Sequence, residues 1–158
     1  MLDVKNFRFL IYSALERINQ YSEEAEELLI ITAATESKLG TYLYQLNGPA
    51  RGIFQMEPAT EKDIWDNYLR YKPYLAQLIL TFTSGQPEFD LIGNIPYQIC
   101  IARAHYLRFP EKLPKANETI SLCTYYKKYW NTYKGSNTID NAYKDYKILA
   151  LKEKKYGL

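Results

Sequence analysis

Cysteine, histidine and long apolar runs are all scarce in this chain, and each scarcity excludes a class of function. Among 158 residues there are two cysteines and one histidine. A structural zinc centre takes four such ligands, so none is expected. Cys100 and Cys123 belong to no short motif and fall on apolar positions of expected helices. They read as buried free thiols rather than a disulfide, which fits a reducing compartment. Glycine-rich phosphate loops, His/Asp clusters and paired CxxC motifs are missing. That argues against nucleotide, metal and redox chemistry and predicts no cofactor. No segment approaches the roughly 20 apolar residues that cross a bilayer. The stretch from Met1 to Leu15 carries Asp3, Lys5 and Arg8 and lacks the basic-apolar-small order of a secretion signal. The expectation is a chain that begins as synthesised. A net charge of +2 is too small to indicate a nucleic-acid partner.

Tyrosine is abundant instead: 16 residues, against six phenylalanines and two tryptophans. Its apolar face and polar tip suit either a half-buried groove, where sugar rings can lie, or the rim of a small core. Charge is unevenly placed. Glu23, Glu24, Glu26 and Glu27 cluster early, while Lys144, Lys147, Lys152, Lys154 and Lys155 gather at the end. Solvated helix faces account for both clusters; for the basic tail, attraction to an anionic polymer is the alternative.

The apolar period is helical almost throughout. Val4, Phe7, Ile11, Ala14, Leu15 and Ile18 follow Asp3, an expected N-cap. Ser22 caps a second helix whose early glutamates favour the positive end of the macrodipole. That helix turns apolar nearly all round from Leu28 to Ala34, which places it at the centre of the domain, and Gly40 is its natural stop. Residues 41–57 break the period at Gly48, Pro49 and Gly52, and Ile53 to Met56 read as a short strand. Further helices start at Pro58, at Pro73, at Asn94 with Pro96, at Asn117 running to about Trp130, and at Thr138 running towards Leu151. A length of 158 residues suits one core that buries roughly 70% of the unfolded surface. The reading is a mostly α fold in one domain, residues 1–158, with β structure limited to a strand or hairpin near residues 41–57.

Glu36 is the residue with chemical promise. Leu29, Ala33 and Glu36 share one helix face, so the carboxylate inherits the direction of a buried stripe near a helix end. Burial disfavours its charged form, and the negative end of the helix pushes the same way, so its pKa is expected above the ordinary carboxylate range. A carboxyl held protonated near neutrality is a general acid suited to a glycosidic leaving oxygen. The bland alternative is a glutamate that caps or salt-bridges the helix end. His105, the lone histidine, reads as a helix-face residue satisfying a local hydrogen bond.

Thr35-Glu36-Ser37-Lys38-Leu39-Gly40 and the later Gly52-Ile53-Phe54-Gln55-Met56-Glu57-Pro58-Ala59-Thr60 together resemble the catalytic core of lytic transglycosylases and goose-type lysozymes. These enzymes cut the glycan of bacterial peptidoglycan and have a lysozyme-like fold. The transglycosylases carry Glu-Ser at a helix end and then Gly-Leu-Met-Gln-Leu-Met-Pro-Ala-Thr. By that resemblance Glu36 is the single acid/base, Ser37 supports the glutamate or the substrate, and Gln55 lines the sugar groove. Gly52 then permits close approach of backbone to sugar. Asn94-Ile95, with Ala102, Tyr106 and Leu107, is similar to a family helix that begins Asn-Ile and ends Tyr-Leu. A third family motif, Ala-Tyr-Asn-Ala-Gly, whose tyrosine orients the glutamate, has no intact counterpart. The region reads Tyr125-Tyr126-Lys127-Lys128-Tyr129-Trp130-Asn131-Thr132, with Gly135 after it. Tyr125 and Tyr129, one α-helical turn apart, and Asn131 are the substrate-binding candidates, and the choice of tyrosine stays open. The resemblance covers roughly residues 25–135, and extends to the lysozyme-like domains of bacteriophages and their endolysins.

Glu57 stands where the transglycosylases have an apolar residue and where goose-type lysozymes have an aspartate that helps activate water. Inverting hydrolysis needs two carboxylates roughly 6.5–9.5 Å apart. Without the second, the muramic acid's own C6 hydroxyl closes a 1,6-anhydro ring. The resemblance therefore implies a lytic transglycosylase acting between N-acetylmuramic acid and N-acetylglucosamine, with a lysozyme-type hydrolase and a non-catalytic glycan-binding virion module as alternatives. Its implied partners are peptidoglycan glycan strands and other virion proteins. Its implied setting is a phage virion, or host cytoplasm before delivery to the wall.

Overall fold

Asp3 starts the first helix as its spacing requires, its carboxylate accepting the Asn6 N–H at 3.0 Å. The computed structural model describes residues 1–151; Lys152, Lys154 and Lys155 of the basic tail, and the end of the expected 1–158 domain, lie outside the described residues. Helix α1 (Val4–Arg17) turns Val4, Phe7, Ile11, Ala14 and Leu15 inward. Helix α2 (Glu23–Ser37) is capped by the Ser22 hydroxyl on Ala25 N at 3.1 Å. From Leu28 to Thr35 every α2 residue is buried, which a helix achieves only when packed on all sides. Its neighbours are α1, α6 (Ile95–Leu107), α7 (Thr119–Tyr126) and α8 (Ile139–Tyr146). The Thr32 hydroxyl donates to Leu28 O at 2.8 Å and meets the buried Tyr106 hydroxyl at 2.7 Å, so neither polar group is stranded.

Three shorter helices line up beside α6: α3 (Pro58–Asn67), α4 (Pro73–Leu80) and α5 (Pro87–Ile92). Each has proline in its first turn, where a missing N–H costs nothing. Sequence reading missed α5, whose six residues are too few to show a period. Among the described residues the fold is mostly α, and no helix is long and apolar enough to cross a membrane.

Two expectations change here. No strand forms over residues 53–56: Gly52 and Gln55 have φ of +74° and +48°, which folds the chain into turns. What remains is a pair of isolated antiparallel bridges, Tyr44 to Arg51 and Arg51 to Met56. The glutamate cluster is also only partly solvated. Arg8 Nη1 reaches Glu26 at 2.6 Å and Glu27 at 2.8 Å, while the Tyr21 and Tyr146 hydroxyls donate to the same two carboxylates at 3.0 and 2.6 Å. Cys100 and Cys123 are buried and unpaired on α6 and α7, and burial pushes both thiols up to about 12.

Candidate active site

Helix α2 ends at Ser37 because Lys38 and Leu39 are left-handed, both at φ +53°. That abrupt stop leaves Glu36 half-buried on the floor of an open cleft of about 1050 Å³. The cleft is lined by the loop around Gln55 and Met56 and by Glu57, Ala59, Thr60 and Asp63 at the start of α3. The end of α6 and the segment from Tyr129 to Asn137 complete the lining.

The Glu36 carboxyl lies above its ordinary range, chiefly because burial disfavours the charged form. Hydrogen bonding from Tyr126 and Asn131 and the charges of Lys38 and Lys127 pull the other way. Tyr126 donates to Glu36 Oε1 at 2.5 Å, and Asn137 Nδ2 donates to the Tyr126 oxygen at 3.2 Å. The amide thus commits the phenol proton to Glu36. Lys38 is itself held by Asp145 at 2.5 Å.

Tyr126, rather than Tyr125 or Tyr129, therefore reaches the carboxylate. Tyr125 is 3% exposed, lies outside the cleft lining and donates its hydroxyl to Glu111 O at 3.0 Å. Tyr129 lines the cleft and gives its hydroxyl to the Glu111 carboxylate. Tyr126 is the last residue of α7, one turn after Leu122 and Cys123 on the buried face of that helix. Past Tyr126 the chain takes a π-helical turn, Lys127–Asn131. Five residues apart, Tyr126 and Asn131 would stand about 140° apart on an α-helix. A π turn bonds i to i+5 and brings them to one face. Asn131 lines the cleft as expected; its Oδ1 accepts from Lys127 Nζ at 2.7 Å, and the same ammonium holds Gly135 O at 3.0 Å. The α period of α7 already turns Tyr126 inward with Leu122 and Cys123, whereas Asn137 carries no local signal.

Of the two roles expected for Ser37, contact with substrate is corrected, and what remains is an internal tie at the end of the helix that carries Glu36. Ser37 is fully buried; its one hydroxyl proton lies between Ile53 O at 2.5 Å and Ala33 O at 3.2 Å, and its oxygen accepts the Gly40 N–H at 2.8 Å. It fastens the end of α2 to the loop that presents Gln55. Gly52 is corrected similarly. A Cβ there would sit 2.0 Å from Leu91 O and 2.2 Å from Gln98 Oε1, so protein rather than sugar demands the glycine. Gln55 does line the cleft, its Nε2 donating to Gly52 O at 2.8 Å and Tyr42 O at 3.1 Å. Glu57 lines it too, at the N-cap of α3, where its side chain makes no capping hydrogen bond.

His105 makes the local bond expected of it and more. Its Nε2 meets Tyr129 O at 2.8 Å and its Nδ1 meets Arg108 Nη2 at 2.6 Å. Because arginine can only donate, Nδ1 accepts and Nε2–H donates, which defines a neutral ring. Burial lowers its pKa to about 4. Among the described residues no group of three or more His, Cys, Asp or Glu side chains is arranged to hold a metal ion.

Comparison with protein-family models, with curated proteins and with solved structures finds no match to this chain.

Proposed function

We propose that this protein cleaves the β-1,4 bond between N-acetylmuramic acid and N-acetylglucosamine in peptidoglycan, as a lytic transglycosylase of lysozyme-like fold. One observation carries the reading: a single carboxyl, raised in pKa by burial, is held by a tyrosine hydroxyl at 2.5 Å on the floor of an open cleft. The resemblance of the two sequence stretches supplies the substrate; the cleft supplies room for a glycan strand.

Protonated Glu36 gives its proton to the glycosidic oxygen, and the bond to the muramic C1 breaks. The resulting carboxylate takes the proton of the muramic C6 hydroxyl, whose oxygen bonds to C1 and closes the anhydro ring. Glu36 ends protonated, and neither water nor a cofactor is consumed. Tyr126 stabilises the ionised glutamate between the two steps, when charge is greatest. Gln55 and Asn131, which line the same cleft, bind sugar.

Glu57 favours a second reading. It lines the same cleft, and its side chain is not spent on capping α3, which supports a role in activating water for hydrolysis. The strand partner is the same in both readings, and delivery to the wall by a phage virion or from the host cytoplasm suits either.

Purified protein is expected to clear a peptidoglycan suspension, and Glu36→Gln is expected to stop clearing. Mass spectrometry of the released muropeptides should show products lighter by one water. Reducing ends instead would make the protein a hydrolase. Equal clearing by both forms sinks the acid/base role of Glu36, and glycan retention without clearing would make the protein a binding module.

A further inference from the structure

The wall of the cleft where α3 meets the end of α6 holds a network that the cleavage chemistry does not use. Arg108 donates from Nη1 to Asp63 Oδ2 at 2.6 Å, from Nη2 to His105 Nδ1 at 2.6 Å and from Nε to His105 O at 3.3 Å. All three guanidinium nitrogens are engaged, so the group is fixed. His105, 8% exposed and neutral, is the buttress behind it. Beside the guanidinium, Phe109 and Tyr129 stack with ring centroids 4.3 Å apart and 30° between planes. Asp63, His105, Arg108, Phe109 and Tyr129 all line the cleft that contains Glu36.

Three bonds leave the guanidinium with one free N–H on each terminal nitrogen. Asp63 is half exposed; its Oδ1 accepts from Asn67 at 2.7 Å and its Oδ2 from Arg108, and each oxygen keeps a second lone pair beside them. The charges cancel, so the pair does not select an anion. It offers donors and acceptors side by side in a fixed plane, next to an aromatic surface. Vicinal hydroxyl and acetamido groups on a ring with an apolar C–H face match that arrangement.

We propose that Asp63, Arg108, Phe109 and Tyr129 form a sugar-binding subsite along the cleft, with His105 as the positioning residue that fixes Arg108. Arg108 and Asp63 hold the polar substituents of one sugar, and the Phe109–Tyr129 pair supports its ring. The subsite rests on the glycan reading of the cleft; it does not need the cleft to cut.

The test is octasaccharide binding, measured by calorimetry with peptide-free glycan of alternating N-acetylglucosamine and N-acetylmuramic acid. Glu36→Gln is the parent, so that nothing turns over. Asp63→Asn and Arg108→Gln, each added to that parent, are expected to weaken binding about tenfold, the scale of one charge-assisted hydrogen bond. Asp66→Asn, on the exposed Lys62–Asp66 pair of the same helix, should change nothing. Asp63 lies at the surface, so its variant retains the fold even if Arg108→Gln does not; melting curves show which holds. Parent-like affinity in Asp63→Asn, or no octasaccharide binding by the parent, overturns the subsite. Clearing of peptidoglycan by Glu36→Gln overturns the proposed reaction while a tenfold loss at Asp63 still establishes the subsite.

Discussion

Glu36 is pulled in two directions, and the balance is set by a few named groups. Burial raises its pKa, while Tyr126, Lys38, Asn131 and Lys127 lower it. Tyr126→Phe removes the principal stabiliser of the ionised form and the bond that fixes the carboxyl. Clearing rate is expected to fall about ten- to hundredfold, in line with losing a hydrogen bond to a charged group. The direction on pH is separate and sharper. General-acid activity falls as pH rises through the Glu36 pKa, and losing a donor that lowers this pKa moves that limb to higher pH. A Phe variant with the parent rate and an unmoved alkaline limb would remove Tyr126 from the mechanism. Ring packing is conserved in that variant, so a melting temperature near the parent's is expected alongside.

Between elements, the decisive join is the one from α2 to the turns at 52–56. Ser37 bonds Ala33 O, Ile53 O and Gly40 N from a fully buried position. Ser37→Ala strands the Gly40 N–H and the Ile53 carbonyl, at a cost of about 2–3 kcal/mol in denaturant unfolding. Because Gln55 rides on that loop, glycan affinity should weaken as well, although Ser37 lies outside the cleft lining. Unchanged stability would mean that this tie is dispensable. Legibility followed the same division. Asp3, Ser22, Asn94 and Thr138 each accept the N–H three residues on, so the starts of α1, α2, α6 and α8 were readable from local chemistry. Glu36 was readable too, because an apolar helix fixes the direction of its last face. The sugar-side readings of Ser37 and Gly52 failed for one physical reason. Their partners, Ile53 O, Leu91 O and Gln98, come from segments whose meeting is a tertiary event. Tyr126 was passed over because the family motif sets its tyrosine directly before an asparagine, whereas the two groups that meet Glu36 here, Tyr126 and Asn131, stand five residues apart across a π turn.

Across the whole molecule, the cleft works against the stability of the fold on one side of neutrality and with it on the other. Glu36 has a raised pKa, so the folded chain binds its proton more tightly than the unfolded chain does. Its site is comfortable in acid, and stability is lost as pH rises through the raised pKa and the buried carboxyl must ionise. His105 has the opposite sign. Its pKa falls from 6.5 to about 4, so the unfolded chain takes up a proton first as pH drops. The stability held by neutral His105 is complete above about pH 6.5 and is lost progressively towards about pH 4. Glu36→Gln should therefore melt above the parent by a margin that widens as pH rises from acid to neutral. His105→Gln should melt lower at neutral pH, having lost the seat of Arg108, yet fall off less steeply than the parent between pH 6.5 and about 4. Thermal melts of the three proteins across that range separate the two effects, because slopes against pH report proton linkage whatever the absolute cost of each substitution. A constant margin between parent and Glu36→Gln at all pH values would show that the carboxyl is not strained by burial, and with that the general-acid reading of the cleft would lose its physical basis.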